Sequence, residues 1–446
     1  MIWKIIRTIF MLPILGFIAI VASSCTQLGL NYASLEVDNK IAGLPALEAR
    51  SASDWETREA PELRALFEEH VFGPVPVGIK SRVVSRRLVD DRYKGGRGVL
   101  EEFLIELGEG EGAVQFHLAL ATPKNPVGPS PLIIGQTFCD NRGVFEHDGL
   151  SGPMRGRDCG MAENRTATGR FFMFIFGEYI NKAPMEDYLE RGYAYANFFA
   201  PEIVPDTPRR AENMLPSFPA GSDGRRATGA VAAWAAGYFA ALDLFDKDTR
   251  IDPARTAVFG HSRHGKSALV AGGWDERIEL VISHQSGTGG ASLSREKAGE
   301  TVDQIVNGFT LLGLGEQTGY PHWFAPKFAD YAKNTDALPI DQHALIALNA
   351  PRRVLLGNGR RDVWSDPNGA YRAAEAASSV WAMFGETGLA QDGMKGSNPE
   401  AGISYHLRQG GHGIVRSDVD AFLAFLDASF SPAPQSAQID RSDTHG

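Results

Sequence analysis

Apolar and polar side chains follow two different periods along the chain. In residues 114–121 they alternate one by one, which is typical of a β-strand with one buried face. Residues 99–107 are predicted to form a strand as well. Short apolar runs then recur and predict further strands at residues 132–134, 193–199, 256–259, 280–282 and 354–356.

Helical periodicity separates several of these strands. It is clearest in residues 230–244, where Val231, Trp234, Tyr238 and Leu242 recur at helical spacing. Strands that alternate with helices predict an α/β fold with a mainly parallel sheet, covered on both faces in a three-layer αβα sandwich. The functional site of such a fold lies at the carboxyl ends of the strands. We predict one such domain over residues 55–430.

Composition narrows the class of protein. The chain has 446 residues, of which 43% are hydrophobic and 22% are charged, as expected of a globular protein. Its net charge is −10 and no block of basic residues occurs, which argues against a nucleic-acid partner. The 3 cysteines are too few for a disulfide scaffold or a thiolate zinc module.

The first 24 residues are predicted to be an export signal peptide. Lys4 and Arg7 precede the apolar run 9–22, and small residues follow it. The run is shorter than the roughly 20 residues that span a bilayer. An uncleaved anchor is the alternative.

Residues 22–25 resemble a bacterial lipobox, with Ala22 where leucine is more usual. We therefore expect Cys25 to be lipidated and the protein to be exported to the periplasm or the cell surface. Lipidation leaves Cys139 and Cys159 as a pair in an oxidising compartment, where we expect a disulfide. It would close a loop of about 20 residues and contribute roughly 3 kcal/mol. Two unpaired buried thiols are the alternative.

Two segments flank the predicted domain. Residues 25–54 are polar and aperiodic, which indicates a tether that leads away from a membrane anchor. Residues 431–446 lack apolar periodicity and are predicted to be a disordered tail.

Ser262 is the candidate nucleophile. It follows a predicted strand and precedes a helix, the context of the nucleophile elbow G-x-S-x-G of the α/β-hydrolase fold. Gly260 lets the strand turn sharply. His264 stands where the motif has its second glycine, which is displaced to Gly265.

The partners of a hydrolase serine follow it in the order acid, then histidine. Asp362 comes shortly after the strand at 354–356, and His412 lies among glycines before a helical segment. An imidazole can take the serine proton, and a carboxylate holds that imidazole in the correct tautomer. Asp366 is the alternative acid but precedes a proline and is interpreted as a helix cap. His406 is the alternative base but is predicted to lie on a strand.

No metal site or cofactor is predicted. His261, His264 and His284 lie near one another in sequence, but no metal-binding spacing such as H-E-x-x-H accompanies them. The glycine-rich residues 287–290 lack the Walker lysine and the Rossmann spacing. They are interpreted as a loop that lets the backbone approach the active site.

With these residues assembled, the chain resembles the glucuronoyl esterases, carbohydrate esterases that cleave esters between 4-O-methyl-glucuronate on xylan and lignin alcohols. The resemblance extends over residues 55–425. The element S-R-x-G-K is distinctive, because a general serine hydrolase needs neither arginine nor lysine on the elbow helix. The segments that carry the resemblance are GHSRHGKSAL, SGTGGASLSREKAGET, PHWFAPKF, LPIDQHALIALNAPRRV, RDVWSDPNG and GGHG, together with the upstream WETREAPELRALFEEHVFGPVP.

The resemblance implies further roles. Arg263 would stabilise the oxyanion through its backbone N–H and its guanidinium, and one such donor commonly contributes about 3 to 4 kcal/mol. Lys266 and Glu300 would bind sugar hydroxyls, and Trp364 would pack against the sugar ring. The alternatives are a surface ion pair between Lys266 and Glu300 and a core position for Trp364.

Two features depart from the family pattern. Some members carry the acid after the strand that follows the elbow, but here Ser283-His284-Gln285-Ser286 contains no carboxylate. The acid role therefore falls on Asp362. The insert around Cys159 matches no family segment, and it is expected to shape a substrate cleft or to pack as a subsidiary helix.

The expected substrate is an ester of glucuronoxylan or of a lignin–carbohydrate linkage, and the protein is expected to be a monomer. An acetylxylan esterase or another carboxylesterase would use the same triad. A peptidase of the prolyl oligopeptidase type would normally carry a propeller domain, and no internal repeat supplies one. A non-catalytic lipoprotein that binds glycans would not need the triad.

Overall fold

The computed structural model describes residues 43–156, 173, 176–219, 228–295, 299–310, 316–317 and 319–430. The predicted signal peptide, Cys25, most of the tether, Cys159 and the C-terminal tail lie outside these residues. Within the described ranges, no helix combines the length and the apolarity that crossing a bilayer requires.

A nine-stranded sheet forms the centre of the domain, and a separate ribbon of two short strands, β8 and β9, lies apart from it. The strands in chain order are β1 Ser81–Arg92, β2 Gly98–Leu107, β3 Val114–Pro123, β4 Ser130–Thr137, β5 Ala194–Phe199, β6 Ile251–His261, β7 Leu280–His284, β8 Phe309–Thr310, β9 Glu316–Gln317, β10 Arg353–Gly359 and β11 Ile403–Arg408.

The order of strands across the large sheet is β1-β2-β3-β5-β4-β6-β7-β10-β11. The pairs from β1 to β5 are antiparallel, and the pairs from β5 to β11 are parallel. The prediction of a mainly parallel sheet is therefore confirmed. The carboxyl ends of β6, β7, β10 and β11 lie side by side at one edge of the sheet.

Helices cover both faces of this sheet. The long helices are α1 Ala230–Phe245, α2 Arg263–Trp274, α3 Pro367–Met383 and α4 Arg416–Phe430. Side chains of α1, α2 and α3 pack in one apolar core, and α4 packs in a second core on the opposite face. The predicted three-layer sandwich is thus confirmed. The shorter helices are Ala52–Asp54, Ala60–Phe67, Tyr93–Gly96, Asn141–Phe145, Met185–Glu190, Ala200–Ile203, Pro208–Met214, Val302–Asn307 and Gln342–Ala347.

Helix α1 is buried on every side and not only on the predicted apolar face. Trp234 and Tyr238 keep their polar atoms satisfied, since the indole N–H donates to the Val204 carbonyl at 2.8 Å and the phenol donates to the Phe259 carbonyl at 2.8 Å. A helix that is apolar all round belongs in the interior. It therefore forms a rigid support behind the sheet.

The chain already packs onto the domain ahead of Trp55, within the stretch predicted to be a tether. The carboxylate of Glu59 accepts the backbone N–H of Glu48 at 2.7 Å and that of Ala49. Nε2 of His343 lies 2.9 Å from the Pro45 carbonyl oxygen. Ordered contacts thus begin about ten residues before the predicted domain boundary.

Candidate active site

The turn between β6 and α2 holds Ser262 in a strained conformation. Its φ is 58° and its ψ is −127°, a region that non-glycine residues rarely adopt. A Cβ on Gly260 would lie 2.1 Å from the carbonyl oxygen of His264, so only glycine fits there. The Ser262 N–H donates to the His284 carbonyl at 2.7 Å. These features are those of a nucleophile elbow.

His264, which replaces the second glycine of the motif, has a packing role. Its ring centroid lies 4.6 Å from that of Phe138 and 5.5 Å from that of Trp234. Burial, reinforced by the charge of Arg263, lowers the pKa of His264 to about 3. The ring is therefore neutral and fills space beneath the elbow.

Asp362 and His412 form a hydrogen-bonded pair. Asp362 follows β10, His412 follows β11, and 2.8 Å separates Oδ2 of the aspartate from Nδ1 of the histidine. Burial by itself raises the pKa of Asp362, but the charge and hydrogen bond of His412 outweigh it, so this pKa is lowered. The Ser365 N–H also donates to Asp362 at 3.3 Å. The carboxylate is thus ionised and fixed in position.

The same pair lies beside the elbow. The ring of His412 is 4.6 Å, centroid to centroid, from that of His261, the residue before Ser262. The structure therefore brings Ser262, Asp362 and His412 to one edge of the sheet. The His412 side chain remains 27% exposed, so a substrate can reach it.

The two alternative residues have other contacts. Asp366 caps α3, where its side chain accepts the Gly369 N–H at 3.0 Å, as interpreted from the sequence. His406 lies on β11, also as predicted, with Nε2 at 3.6 Å from Oδ1 of Asp418. Neither is placed like Asp362 or His412.

Arg263 is held in a cage that the sequence did not reveal. Its Nη1 donates to Oδ2 of Asp206 at 2.5 Å, and its guanidinium lies 4.6 Å from the ring centroid of Trp323 and 5.1 Å from that of Tyr320. Asp206 also accepts from the indole N–H of Trp323 at 2.8 Å. As the first residue of α2, Arg263 presents its backbone N–H at the helix start, where N–H groups lack helical partners.

Asp206 was missed because it lies far from the elbow in sequence and belongs to no motif. Burial by itself raises the pKa of Asp206, but Arg263 and then His322 and Trp323 have a larger opposite effect. The pKa of this carboxyl therefore lies well below its usual range. The carboxylate is therefore a permanent anchor for the guanidinium. The aromatic segment at Pro321–Trp323, which the sequence analysis used only for the family resemblance, is a signal that could have indicated this cage.

Lys266, Glu300 and Trp364 form one connected cluster. The Lys266 ammonium lies 2.7 Å from the Ser286 carbonyl oxygen, 2.5 Å from that of Thr288 and 3.1 Å from Oε2 of Glu300. The indole N–H of Trp364 donates to Oε1 of Glu300 at 3.0 Å.

Both alternative interpretations of this cluster are wrong. The Lys266–Glu300 pair is buried, with side chains only 3% and 5% exposed, so it is not a surface ion pair. Trp364 is 37% exposed, so it is not a core residue. The indole therefore presents an apolar face to solvent while its N–H is fixed.

The glycine-rich loop approaches this cluster, as interpreted from the sequence. A Cβ on Gly287 would lie 3.1 Å from Oε2 of Glu300 and 3.7 Å from Nζ of Lys266. Cys139 is disulfide-bonded, but Cys159 lies outside the described residues, so their pairing stays a prediction. Among the residues that the structure describes, no group of three or more histidine, cysteine and carboxylate side chains is arranged to hold a metal ion.

Comparisons with known proteins agree with this geometry. The family model described as "Glucuronyl esterase, fungi" matches residues 180–385. Carbohydrate esterase MZ0003, from an unknown prokaryotic organism, is 32% identical over 416 residues, which cover 90% of this chain and 92% of that protein. The 4-O-methyl-glucuronoyl methylesterase of Hypocrea jecorina is 33% identical over 160 residues, 35% of this chain and 34% of that one.

Solved structures extend the likeness to the whole domain. A promiscuous CE15 esterase from a marine bacterial metagenome superposes with a TM-score of 0.72 at 31% identity, covering 89% of this chain and 98% of that one. The glucuronoyl esterase from Solibacter usitatus gives a TM-score of 0.71 at 28% identity, covering 88% and 99%. Fold, elbow and relatives agree, and this chain belongs to the glucuronoyl esterase family of carbohydrate esterases.

Proposed function

We propose that this protein hydrolyses esters of (4-O-methyl)glucuronic acid, such as those that join glucuronoxylan to lignin alcohols, through an acyl-enzyme on Ser262. The observation that carries the proposal is the Asp362–His412 hydrogen bond of 2.8 Å beside the elbow. The family of the chain supports the substrate class.

Acylation begins with proton transfer. Asp362 accepts the Nδ1–H of His412, which leaves Nε2 free to take the proton of Ser262 as its oxygen attacks the ester carbonyl carbon. The carbonyl π electrons move to oxygen, and the backbone N–H and guanidinium of Arg263 stabilise this oxyanion. When the carbonyl re-forms, the bond to the alcohol breaks and His412 returns the proton to the leaving oxygen.

Deacylation repeats these steps with water. His412 takes a proton from water, whose oxygen attacks the acyl carbon and forms a second oxyanion at Arg263. Collapse of this intermediate breaks the bond to Ser262, and His412 gives the proton back to the serine oxygen. The products are the free uronic acid and the regenerated enzyme, and neither step requires a cofactor.

The cluster of Lys266, Glu300 and Trp364 is proposed to bind the sugar. Glu300 links the other two residues, so one carboxylate orients both a cation and an aromatic face. A sugar ring stacked on Trp364 would bring its hydroxyls to Glu300 and Lys266. Because the ammonium already has three oxygen neighbours, we expect it to orient Glu300 as well as to contact the substrate.

The second candidate is an acetylxylan esterase or another carboxylesterase, since the related CE15 esterase from a marine bacterial metagenome is promiscuous. The test compares benzyl glucuronate with p-nitrophenyl acetate for the wild type and Ser262→Ala. We expect a fast uronate reaction that falls by about four to six orders of magnitude in the variant. Activity on acetate alone would keep the triad and remove the sugar assignments. If the wild type hydrolysed neither benzyl glucuronate nor p-nitrophenyl acetate, the proposal would be contradicted.

We further propose that the protein is exported as a monomer, that residues 1–24 are removed, and that Cys25 is lipidated. The lipobox-like residues 22–25 support this proposal. Palmitate labelling of the wild type and Cys25→Ala tests it, and label retained by the variant would contradict the lipid anchor. Residues 55–430, with the preceding contacts, are the proposed catalytic domain, followed by a tail at 431–446.

A further inference from the structure

A second hydrogen-bonded series of histidine and carboxylate side chains lies directly behind the catalytic pair. His261 and His284 are the last residues of β6 and β7, and the two are register partners in the parallel sheet. Their Nδ1 atoms lie 2.8 Å apart, and Nε2 of His284 lies 3.2 Å from Oδ1 of Asp418 on α4. All three side chains are buried. The mechanism above uses none of them.

The surrounding charges determine which nitrogen atoms of His261 and His284 carry hydrogen. Burial raises the pKa of Asp418, but His284, then His406 and then Arg408 outweigh it and hold that pKa well below its usual range. An ionised carboxylate only accepts, so Nε2 of His284 carries a hydrogen. Burial lowers the pKa of His284 more than Asp418 raises it, so the ring is neutral and its Nδ1 is bare. The proton between the two Nδ1 atoms therefore belongs to His261.

His261 is consequently a neutral ring with a bare Nε2. Burial, followed by the nearby His412 and His284, lowers its pKa well below the usual value, and His264 and Arg408 act in the same direction. In the described part of the chain, its Nε2 is buried without a hydrogen-bond partner. The ring lies 4.6 Å from that of His412 with an angle of 43° between their planes.

We propose that His261 is a positioning residue for His412, and that His284 and Asp418 fix its ring and its proton for that role. This inference rests on the function proposed above. The ring of His261 supports one face of the His412 ring, which keeps Nδ1 of His412 hydrogen-bonded to Asp362. When His412 takes the serine proton, the resulting imidazolium meets a neutral π system instead of a second positive charge.

The chemistry of the position argues against simple core packing. An apolar side chain at the end of β6 would fill the same space without burying polar nitrogen atoms. The protein instead buries two imidazoles and a carboxylate in contact with one another. The last member of this series, His261, is the ring that faces the catalytic histidine. His406 also lies near Asp418, but its Nε2 is 3.6 Å away.

The first test determines the tautomers of His261 and His284 in the wild-type protein. Nuclear magnetic resonance of the full chain labelled with ¹⁵N-histidine distinguishes the two neutral tautomers. We expect hydrogen on Nδ1 of His261 and on Nε2 of His284, assigned by the signals that each single variant removes. Hydrogen on Nε2 of His261 at neutral pH would overturn the inference.

The second test removes the link to His261 and keeps the partner of Asp418. In His284→Gln the side-chain amide can still donate to the carboxylate, but the acceptor that faces His261 is lost. With benzyl glucuronate we expect kcat to fall about tenfold or more, KM to stay within about twofold, and the acidic limb of kcat/KM to move about half a pH unit or more to lower pH. The limb moves this way because the imidazolium is less well stabilised.

His406→Gln is the matched control, because it alters a histidine near the same carboxylate that does not contact His261. We expect its kcat and acidic limb to match the wild type. If both variants fold, as near-ultraviolet circular dichroism reports, and behave alike, the inference is wrong. If His284→Gln does not fold, the wild-type tautomers decide. If the wild type had no Ser262-dependent esterase activity, the proposed function would be refuted. The histidine tautomers could still be measured in that case.

Discussion

Asp206 anchors the guanidinium of Arg263 from a distant part of the chain, with 2.5 Å between Oδ2 and Nη1. In Asp206→Asn the guanidinium loses its charged partner and with it part of its orientation toward the proposed oxyanion position. We expect kcat on benzyl glucuronate to fall about tenfold while KM changes less than about threefold.

Two comparisons make this prediction specific. If Asp206 acts through Arg263, then Arg263→Ala and the double variant have the same kcat, because the second substitution has nothing left to disturb. Asp303→Asn is the control, since that carboxylate pairs with the exposed Lys333 at 2.8 Å. A wild-type kcat in Asp206→Asn would contradict the anchoring role.

Trp364→Ala should separate sugar binding from chemistry. The indole is 37% exposed, and its removal takes away the platform on which a sugar would stack. We expect KM for benzyl glucuronate to rise about tenfold and the turnover of p-nitrophenyl acetate to stay within about twofold. Leu88→Ala, at a side chain 59% exposed on β1, is the control. An equal loss on both substrates would argue against a sugar contact.

The strained elbow predicts a steric effect on stability. In Gly260→Ala the new methyl group would lie 2.1 Å from the His264 carbonyl oxygen, so the turn must open. We expect the free energy of unfolding to fall by about 3 kcal/mol or more. Gly128→Ala is the matched control, because nothing lies within 4 Å of its Cβ. Equal melting temperatures for the two variants would contradict the tight turn.

Three carboxylates with charged or hydrogen-bonding partners predict how stability depends on pH. The pKa values of Asp206, Asp362 and Asp418 are all lowered in the folded protein, because their partners outweigh the opposing effect of burial. The unfolded chain therefore takes up protons first as the pH falls. Their contribution is complete above about pH 4 and is lost as the pH falls through the folded values.

Urea unfolding at a series of pH values checks this dependence. We expect the free energy of unfolding to decrease below about pH 4, and to decrease less steeply in Asp362→Asn, which lacks one of the titrating groups. A variant as sensitive to acid as the wild type would show that Asp362 is not stabilised in its ionised form.

Local patterns predicted most of the sheet, but not β1. The strands from β2 to β10 that carry a buried face have apolar runs, and these runs were visible in the sequence. β1 Ser81–Arg92 is largely exposed, so no alternation marks a buried side. The sequence also placed Ser262, Asp362 and His412 on the correct local elements, because each element is defined by its neighbouring residues.

The amino-acid sequence does not indicate which distant segments come into contact. Nothing near Asp206 indicates that it meets Arg263, and nothing near Asp418 indicates that it meets His284. The burial of the Lys266–Glu300 pair likewise depends on how α2 packs against the segments that carry Ser286, Thr288 and Glu300. Such partners are set by the tertiary fold, and a single sequence carries no local sign of them.

His412 lies between β11 and α4, the last two elements of the described domain. During synthesis the chain therefore acquires the proposed nucleophile and acid before the proposed base. A nascent or prematurely terminated chain that ends before His412 has a serine with no proton acceptor beside it. Under the proposed mechanism, ester hydrolysis therefore depends on the segment that follows β11 as much as on the elbow itself.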